Sequence, residues 1–371
     1  MRVLTIVGTR PEVIKLSRVI SCLSKSVDHI LVHTGQNDDF ELNKIFFDQL
    51  GIATPHYFLN CRGESAIKTI SNVIKNVDEI LEKTKPDAVL VLGDTNSALS
   101  VLSAKRRKIP IFHMEAGNRC FDQRVPEEVN RKVVDHLSDV NMTYTEHARR
   151  NLLAEGFPTD RLFKTGSPQH EILEFYKPLI DSSTIHSRLN VSVGKYFVAS
   201  IHREENVDVE ENLQVIVKSL NSIVKRYSHP VLFSVHPRTK LRLEAMRVEL
   251  DEGVVVLKPL GLPDYVRLQR DSFCVISDSG TITEEASLLS FPAINLRETH
   301  ERPEGVDAGV LVMTGIDHDR IIEGIEVARS EFEQDQKVKI PTDYLVENVS
   351  WKVTKIILSY TDYVNRNVWH R

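Results

Sequence analysis

Carboxylates stand at the ends of apolar runs in this chain, where side chains can meet a bound molecule. AVLVLGD ends on Asp94, and the next run, PIFHMEAG, delivers Glu115. VPEEVNR follows with Glu127, and Arg131 lies four residues further on. Acids that close successive strands on one edge can share a site for proton transfer, and the arginines spread through HMEAGNRCFDQRVPEEVNR can hold anions. Plainer roles fit each residue alone: Asp94 as a helix cap, and Glu127 with Arg131 as an exposed ion pair of little worth.

A second group of residues suits anions. After RVLTIV comes Gly8-Thr9-Arg10-Pro11-Glu12, where Gly8 permits a tight turn and Pro11 suits a first helical position. A helix N-terminus there, with Arg10 and Lys15, favours a negative ligand, although two solvated cations at a helix entry would look the same. In the second half FCVISDSG runs into TITEEASLL, so Ser279, Gly280 and Thr281 open a helix whose free N–H groups can hold a diphosphate. Glu285, one turn in, can reach a ribose diol or be an ordinary first-turn acid. YFVASIH ends in His202 and PVLFSVH in His236, each of which fits a ligand contact or a surface histidine.

These residues need a scaffold that gathers strand ends. RVLTIVG, HILVHTG, AVLVLGD, PIFHMEA and VNMTYT are short β-branched runs in the first half; YFVASIH, PVLFSVH, GVVVLKP, FCVISDSG and FPAINLR follow in the second. Each run is continuous rather than alternating, as strands buried on both faces of a parallel sheet are. Between them PEVIKLSRVISCLSK and EENLQVIVKSLNSIVKRY have helical spacing, which predicts two doubly wound α/β units in series. In such open sheets ligands collect beyond the carboxyl ends of the strands. The turn formers of KTGSPQHEILEFYKPLIDSS place the hinge near Gly166, with domains over 1–167 and 168–349. VSWKVTKIILSYTDYVNR has helical periodicity with no strand after it, so a helix over about 350–371 is expected to cross back onto the first domain.

Composition bounds the function. A chain of 371 residues exceeds the usual size of one core. A formal net charge of −5 leaves no footprint for nucleic acid or an anionic membrane as the main partner. MRVLTIVGTRPEVIK has too short an apolar run for a signal peptide, and nothing reaches the roughly 18 apolar residues of a membrane span. Cys22, Cys61, Cys120 and Cys274 are scattered, which indicates neither a zinc site nor a disulfide framework. A cytoplasmic enzyme is expected.

In order and spacing, GTRPEVIK, HMEAGNR, PEEVNR, HREEN, SDSGTITEE and RETHERPEG resemble the motifs of the non-hydrolysing UDP-N-acetylglucosamine 2-epimerase family, over nearly the whole chain. The resemblance implies two Rossmann-like domains facing a cleft, a glycosyltransferase-B-like fold, with UDP held mainly by the C-terminal domain. It implies anti-elimination of UDP to a 2-acetamidoglycal, followed by re-addition of UDP and of a proton on the opposite face of C2. Asp94, Glu115 and Glu127 match the family's essential carboxylates. His202 matches the histidine near the leaving diphosphate, Arg10 and Lys15 approach it from the facing domain, Tyr265 stacks on uracil and Glu285 holds the ribose. Arg131 and His236 complete the substrate set. A UDP-activated 2-acetamido sugar is the expected partner, with no cofactor or metal, in a homodimer. Crowding of the acids is expected to raise the pKa of at least one.

The chain departs from the family pattern at Asn118 (AGNR for AGLR), Thr281 (SDSGT for SDSGG), His300 (HERPE for TERPE) and Asn37 (GQN for GQH), and RCFDQRVP over 119–126 is shorter. These variants resemble the branch that makes UDP-N-acetyl-L-fucosamine from UDP-2-acetamido-2,6-dideoxy-L-talose, for capsule or O-antigen. Alternatives are a UDP-N-acetylglucosamine/UDP-N-acetylmannosamine 2-epimerase and a glycosyltransferase of the same architecture. A hydrolysing epimerase and a non-catalytic nucleotide-sugar sensor are the others; the full set of acids argues against a sensor.

Overall fold

Valine, isoleucine and leucine fill both faces of the strands in each half of the chain, as a parallel sheet covered by helices on both sides requires. The computed structural model describes residues 1–36, 47, 50–246, 248–334 and 339–371. Its contacts divide into two units, Met1–Leu173 with Thr342–Arg371, and Glu174–Pro341.

The first unit holds β1 (Arg2–Val7), β2 (Asp28–His33), β3 (Tyr57–Phe58), β4 (Ala88–Leu92), β5 (Ile111–Met114), β6 (Val140–Thr143) and β7 (Leu162–Lys164). Their order is β3-β2-β1-β4-β5-β6-β7, with β1 paired in parallel to both β2 and β4. Strand order therefore reverses between β1 and β4. One face of this sheet packs Leu4, Ile6, Val89, Val91 and Ile111 against Val73, Val77 and Leu81 of the helix Ala66–Thr84 and Val134 of the helix Pro126–Leu137. The helix Val349–Asn367 buries Val353, Ile357 and Val364 and packs against the helix Arg10–Ser26.

The second unit holds β8 (Phe197–Ile201), β9 (Val231–Val235), β10 (Val254–Leu257), β11 (Cys274–Ser277), β12 (Ala293–Asn295) and β13 (Val312–Met313). The order is β10-β9-β8-β11-β12-β13, all parallel, so the reversal falls between β8 and β11. Alternate residues of β8 serve opposite layers. Phe197, Ala199 and Ile201 join the helices Glu210–Tyr227 and His318–Glu333, while Val198 joins Leu268, Ile282 and Ala286 on the other face.

All ten apolar runs form strands. The three strands without a sequence signal, β3, β7 and β13, are the two- or three-residue edges of the sheets, too short to show a period. The segment whose turn formers placed the hinge is mostly the helix Gln169–Asp181, which tolerates Pro178 inside it and buries Ile172, Leu173, Tyr176 and Ile180. Helical spacing of those four residues outweighs the proline. Among the described residues no helix is long and apolar enough to cross a membrane.

Candidate active site

In the first unit the turn after β1 touches the turn after β4, at the reversal of strand order where open sheets bind ligands. Gly8 has no room for a side chain: a Cβ there would lie 1.8 Å from Ser97 Oγ and 2.4 Å from Thr34 Oγ1. Glu12 closes the contact. Its Oε2 accepts from the Gly8 N–H at 3.0 Å and from Thr9 Oγ1 at 2.8 Å, and its Oε1 accepts from Thr95 Oγ1 at 3.1 Å. Burial pushes this carboxyl up to about 7, against the lowering effect of the donors from Thr9, Gly8 and Thr95. Arg10 is exposed at the first position of its helix.

Asp94 follows β4, and Glu115 follows β5 directly. Glu115 has φ of +64°, a left-handed conformation that costs a non-glycine residue energy and that clusters at functional sites. Lys15 Nζ lies 2.6 Å from Glu115 Oε2, and Asn118 Nδ2 donates to Oε1 at 3.3 Å. Asp94 Oδ2 meets Arg131 Nη2 at 2.7 Å and Nε at 3.0 Å. Arg131 is buried, and its Nη1 also donates to Glu128 Oε2 at 3.1 Å. Glu127 is half-buried in the first turn of the helix Pro126–Leu137.

Buried acids pin the loop between Glu115 and this helix. Asp135 accepts from the Gly117 N–H at 3.2 Å and from Arg119 Nη1 at 2.7 Å, and lies 2.9 Å from His113 Nδ1. Arg119 also donates to Glu155 at 2.6 and 2.8 Å. Glu128 accepts from the Cys120 N–H at 3.0 Å. Gly117, with φ of +79°, brings its backbone where a Cβ would stand 2.3 Å from the carbonyl oxygen of Ala148. The arginines of this stretch thus hold carboxylates in place. Asp94 and Glu115 each face a cation, and burial raises the carboxyl of Glu12.

In the second unit His202 follows β8 and Asp278 follows β11, again at the reversal. His202 Nδ1 lies 3.1 Å from Asp278 Oδ1. Ser279, Gly280 and Thr281 are half-buried ahead of the helix Ile282–Leu289, and the hydroxyls of Ser279 and Thr281 are 3.0 Å apart. Gly280 sits against a buried ion pair, since its Cβ would lie 3.5 Å from Glu301 Oε2, which is 2.7 Å from Arg297 Nη1. Glu285 Oε2 accepts from Gln269 Nε2 at 2.7 Å, which links it to the helix Leu262–Arg270 that carries Tyr265. Tyr265 is half-buried against the apolar layer. His236 is exposed, its Nδ1 3.4 Å from the Arg238 N–H. Asn37 lies outside the described residues.

Sequence reasoning missed Glu12, Glu128, Asp135 and Asp278. Glu12 had a local signal, the Thr9-x-x-Glu12 spacing of a capping box, and Glu128 stands three residues before Arg131. Asp135 and Asp278 are defined by partners distant in sequence.

Two parallel sheets, each reversed at a switch point lined with polar turns, define the glycosyltransferase-B-like class. The glycosyltransferase SnogD from Streptomyces nogalater shares this fold with a TM-score of 0.57 at 10% identity, over 97% of this chain and 99% of its own. Within the class, the model of the UDP-N-acetylglucosamine 2-epimerase family matches residues 22–358. The solved structure of UDP-N-acetylglucosamine 2-epimerase from Rickettsia bellii is 51% identical, with 100% of both chains covered and a TM-score of 0.93. The UDP-N-acetylglucosamine 2-epimerase of Methanocaldococcus jannaschii is 35% identical over 336 residues, 88% of this chain and 92% of its own. The chain belongs to this family and is a UDP-sugar 2-epimerase, a non-hydrolysing isomerase.

Proposed function

We propose that the chain inverts C2 of a UDP-activated 2-acetamido sugar by elimination and re-addition of UDP. The C2 hydrogen is barely acidic, so its removal has to accompany departure of the diphosphate. A base takes the C2 proton, the C2–H electron pair forms the C1=C2 bond of a 2-acetamidoglycal, and UDP leaves with the C1–O pair. Proton return to the opposite face of C2 and re-addition of UDP at C1 complete the turnover. The observation that carries this reading is the pairing of Asp94 with Arg131 and of Glu115 with Lys15 at adjacent strand ends. Two acids on distinct elements suit two faces. Glu127 is the third acid. His202, Ser279, Gly280 and Thr281 meet charge growing on UDP, together with Arg10 and Lys15. Tyr265 and Glu285 take the uridine, and His236 and Arg131 complete the set.

For the sugar, we infer UDP-2-acetamido-2,6-dideoxy-L-talose, converted to UDP-N-acetyl-L-fucosamine for capsule or O-antigen synthesis. Asn118 supports this, because the residue that departs from the common motif touches the carboxylate of Glu115. The names of the relatives favour UDP-N-acetylglucosamine instead. A panel of purified UDP sugars decides between them: the L-talo sugar should turn over at least about tenfold faster, a difference of roughly 1.4 kcal/mol in the barrier. Equal or reversed preference would return the chain to the N-acetylglucosamine reading. A homodimer of cytoplasmic location is part of the same proposal.

A further inference from the structure

Asp278, the aspartate of SDSG, is completely buried at the end of β11. Its Oδ2 accepts from the Arg203 N–H at 2.8 Å, the His202 N–H at 3.0 Å and Asn206 Nδ2 at 3.0 Å. Its Oδ1 faces the imidazole of His202, 3.1 Å from Nδ1. Burial by itself would raise this carboxyl, but the His202 ring and the backbone N–H groups of Arg203 and His202 outweigh it and hold the group below the usual range. Asp278 is therefore an anion, and an anionic carboxylate only accepts hydrogen bonds. The hydrogen of His202 belongs on Nδ1.

We infer that Asp278 is a positioning residue for His202, holding the imidazole with its hydrogen on Nδ1 so that Nε2 is the atom offered to the diphosphate. The inference rests on the proposed role of His202. That side chain is 43% exposed, while its carboxylate partner is sealed from water. In this tautomer the neutral ring offers a lone pair at Nε2, and the imidazolium offers an N–H to the oxygen that gains charge as UDP departs. Asp278 accepts the Nδ1 hydrogen in either form without itself taking a proton.

Asp278→Asn separates orientation from packing. The side-chain oxygen can stay with the three donors now on Oδ2, which turns the amide NH2 toward His202 Nδ1. A donor in that place drives the ring hydrogen to Nε2. Nitrogen-15 NMR of the wild-type protein above neutral pH should show His202 protonated at Nδ1 and bare at Nε2, and the reverse in the variant. The variant should lose about 100-fold or more in kcat, while KM and UDP affinity stay within about threefold. His202→Gln should lose kcat by a similar factor, and the double variant should be no worse than either, because the two residues act as one unit. A wild-type His202 with its hydrogen on Nε2 overturns the inference even where Asp278→Asn does not fold. Full turnover in Asp278→Asn beside a crippled His202→Gln overturns the positioning role and leaves the role of His202 standing. A fully active His202→Gln refutes the role of His202 and takes the inference with it.

Discussion

Arg131 Nη2 lies 2.7 Å from Asp94 Oδ2, while Nη1 of the same buried guanidinium lies 3.1 Å from Glu128 Oε2. One cation thus joins the turn after β4 to the helix that carries Glu127. A lysine has a single point charge and cannot span both acids. Arg131→Lys is expected to lower the transition temperature in calorimetry, since breaking a buried pair costs about 3–5 kcal/mol when one acid is left unpaired. It should also reduce kcat more than it raises KM. Unchanged stability and turnover would mean that the guanidinium holds neither acid.

The three acids assigned to proton transfer make a separate case. Asp94→Asn, Glu115→Gln and Glu127→Gln should each lose about 10²–10⁴ in turnover. UDP affinity by calorimetry should hold in all three, because Tyr265 and Glu285, assigned to the uridine, lie in the other unit. Circular dichroism would check the fold. Near-wild-type activity in all three would remove the acid/base assignment.

Glu12 gives a stability effect whose sign follows from its pKa. Its folded value, about 7, exceeds the ordinary 4.5, so the stability tied to its protonated form is full below about pH 4.5. That stability is lost as the pH rises through about 7. Glu12→Gln cannot ionise and still offers an oxygen and an amide to Gly8, Thr9 and Thr95. Relative to wild type, this variant should gain a few kcal/mol between pH 4.5 and 7, at about 1.4 kcal/mol per pH unit over that window. Thermal unfolding at several pH values measures the difference, and a gap that stays constant or narrows with pH would contradict the buried acid.

What was legible in the sequence follows the range of the interactions. Runs such as AVLVL are buried on both faces by their own composition, so the central strands could be placed from the chain alone. The edge strand Val312–Met313 has two residues and could not. Asp94, Glu115 and Glu127 stood out because acids after apolar runs are conspicuous. Their partners did not: Lys15 reaches Glu115 across 100 positions, and Asp278 reaches the His202 backbone across 76. Such pairs exist only after the strands are ordered. Arg131 pairs with Glu128 at the local i,i+3 spacing, but its pair with Asp94 spans 37 positions and exists only once β4 and the helix Pro126–Leu137 are packed together.

Elimination and re-addition break the C2–H bond, and this distinguishes the proposed reaction from glycosyl transfer, hydrolysis or simple binding. The most direct measurement is epimerisation in deuterated water, followed by mass spectrometry and proton NMR of the nucleotide sugar. The product should carry deuterium at C2 with its UDP linkage intact, and only traces of free UDP and glycal should escape. Epimer formed without solvent deuterium at C2 would contradict the mechanism.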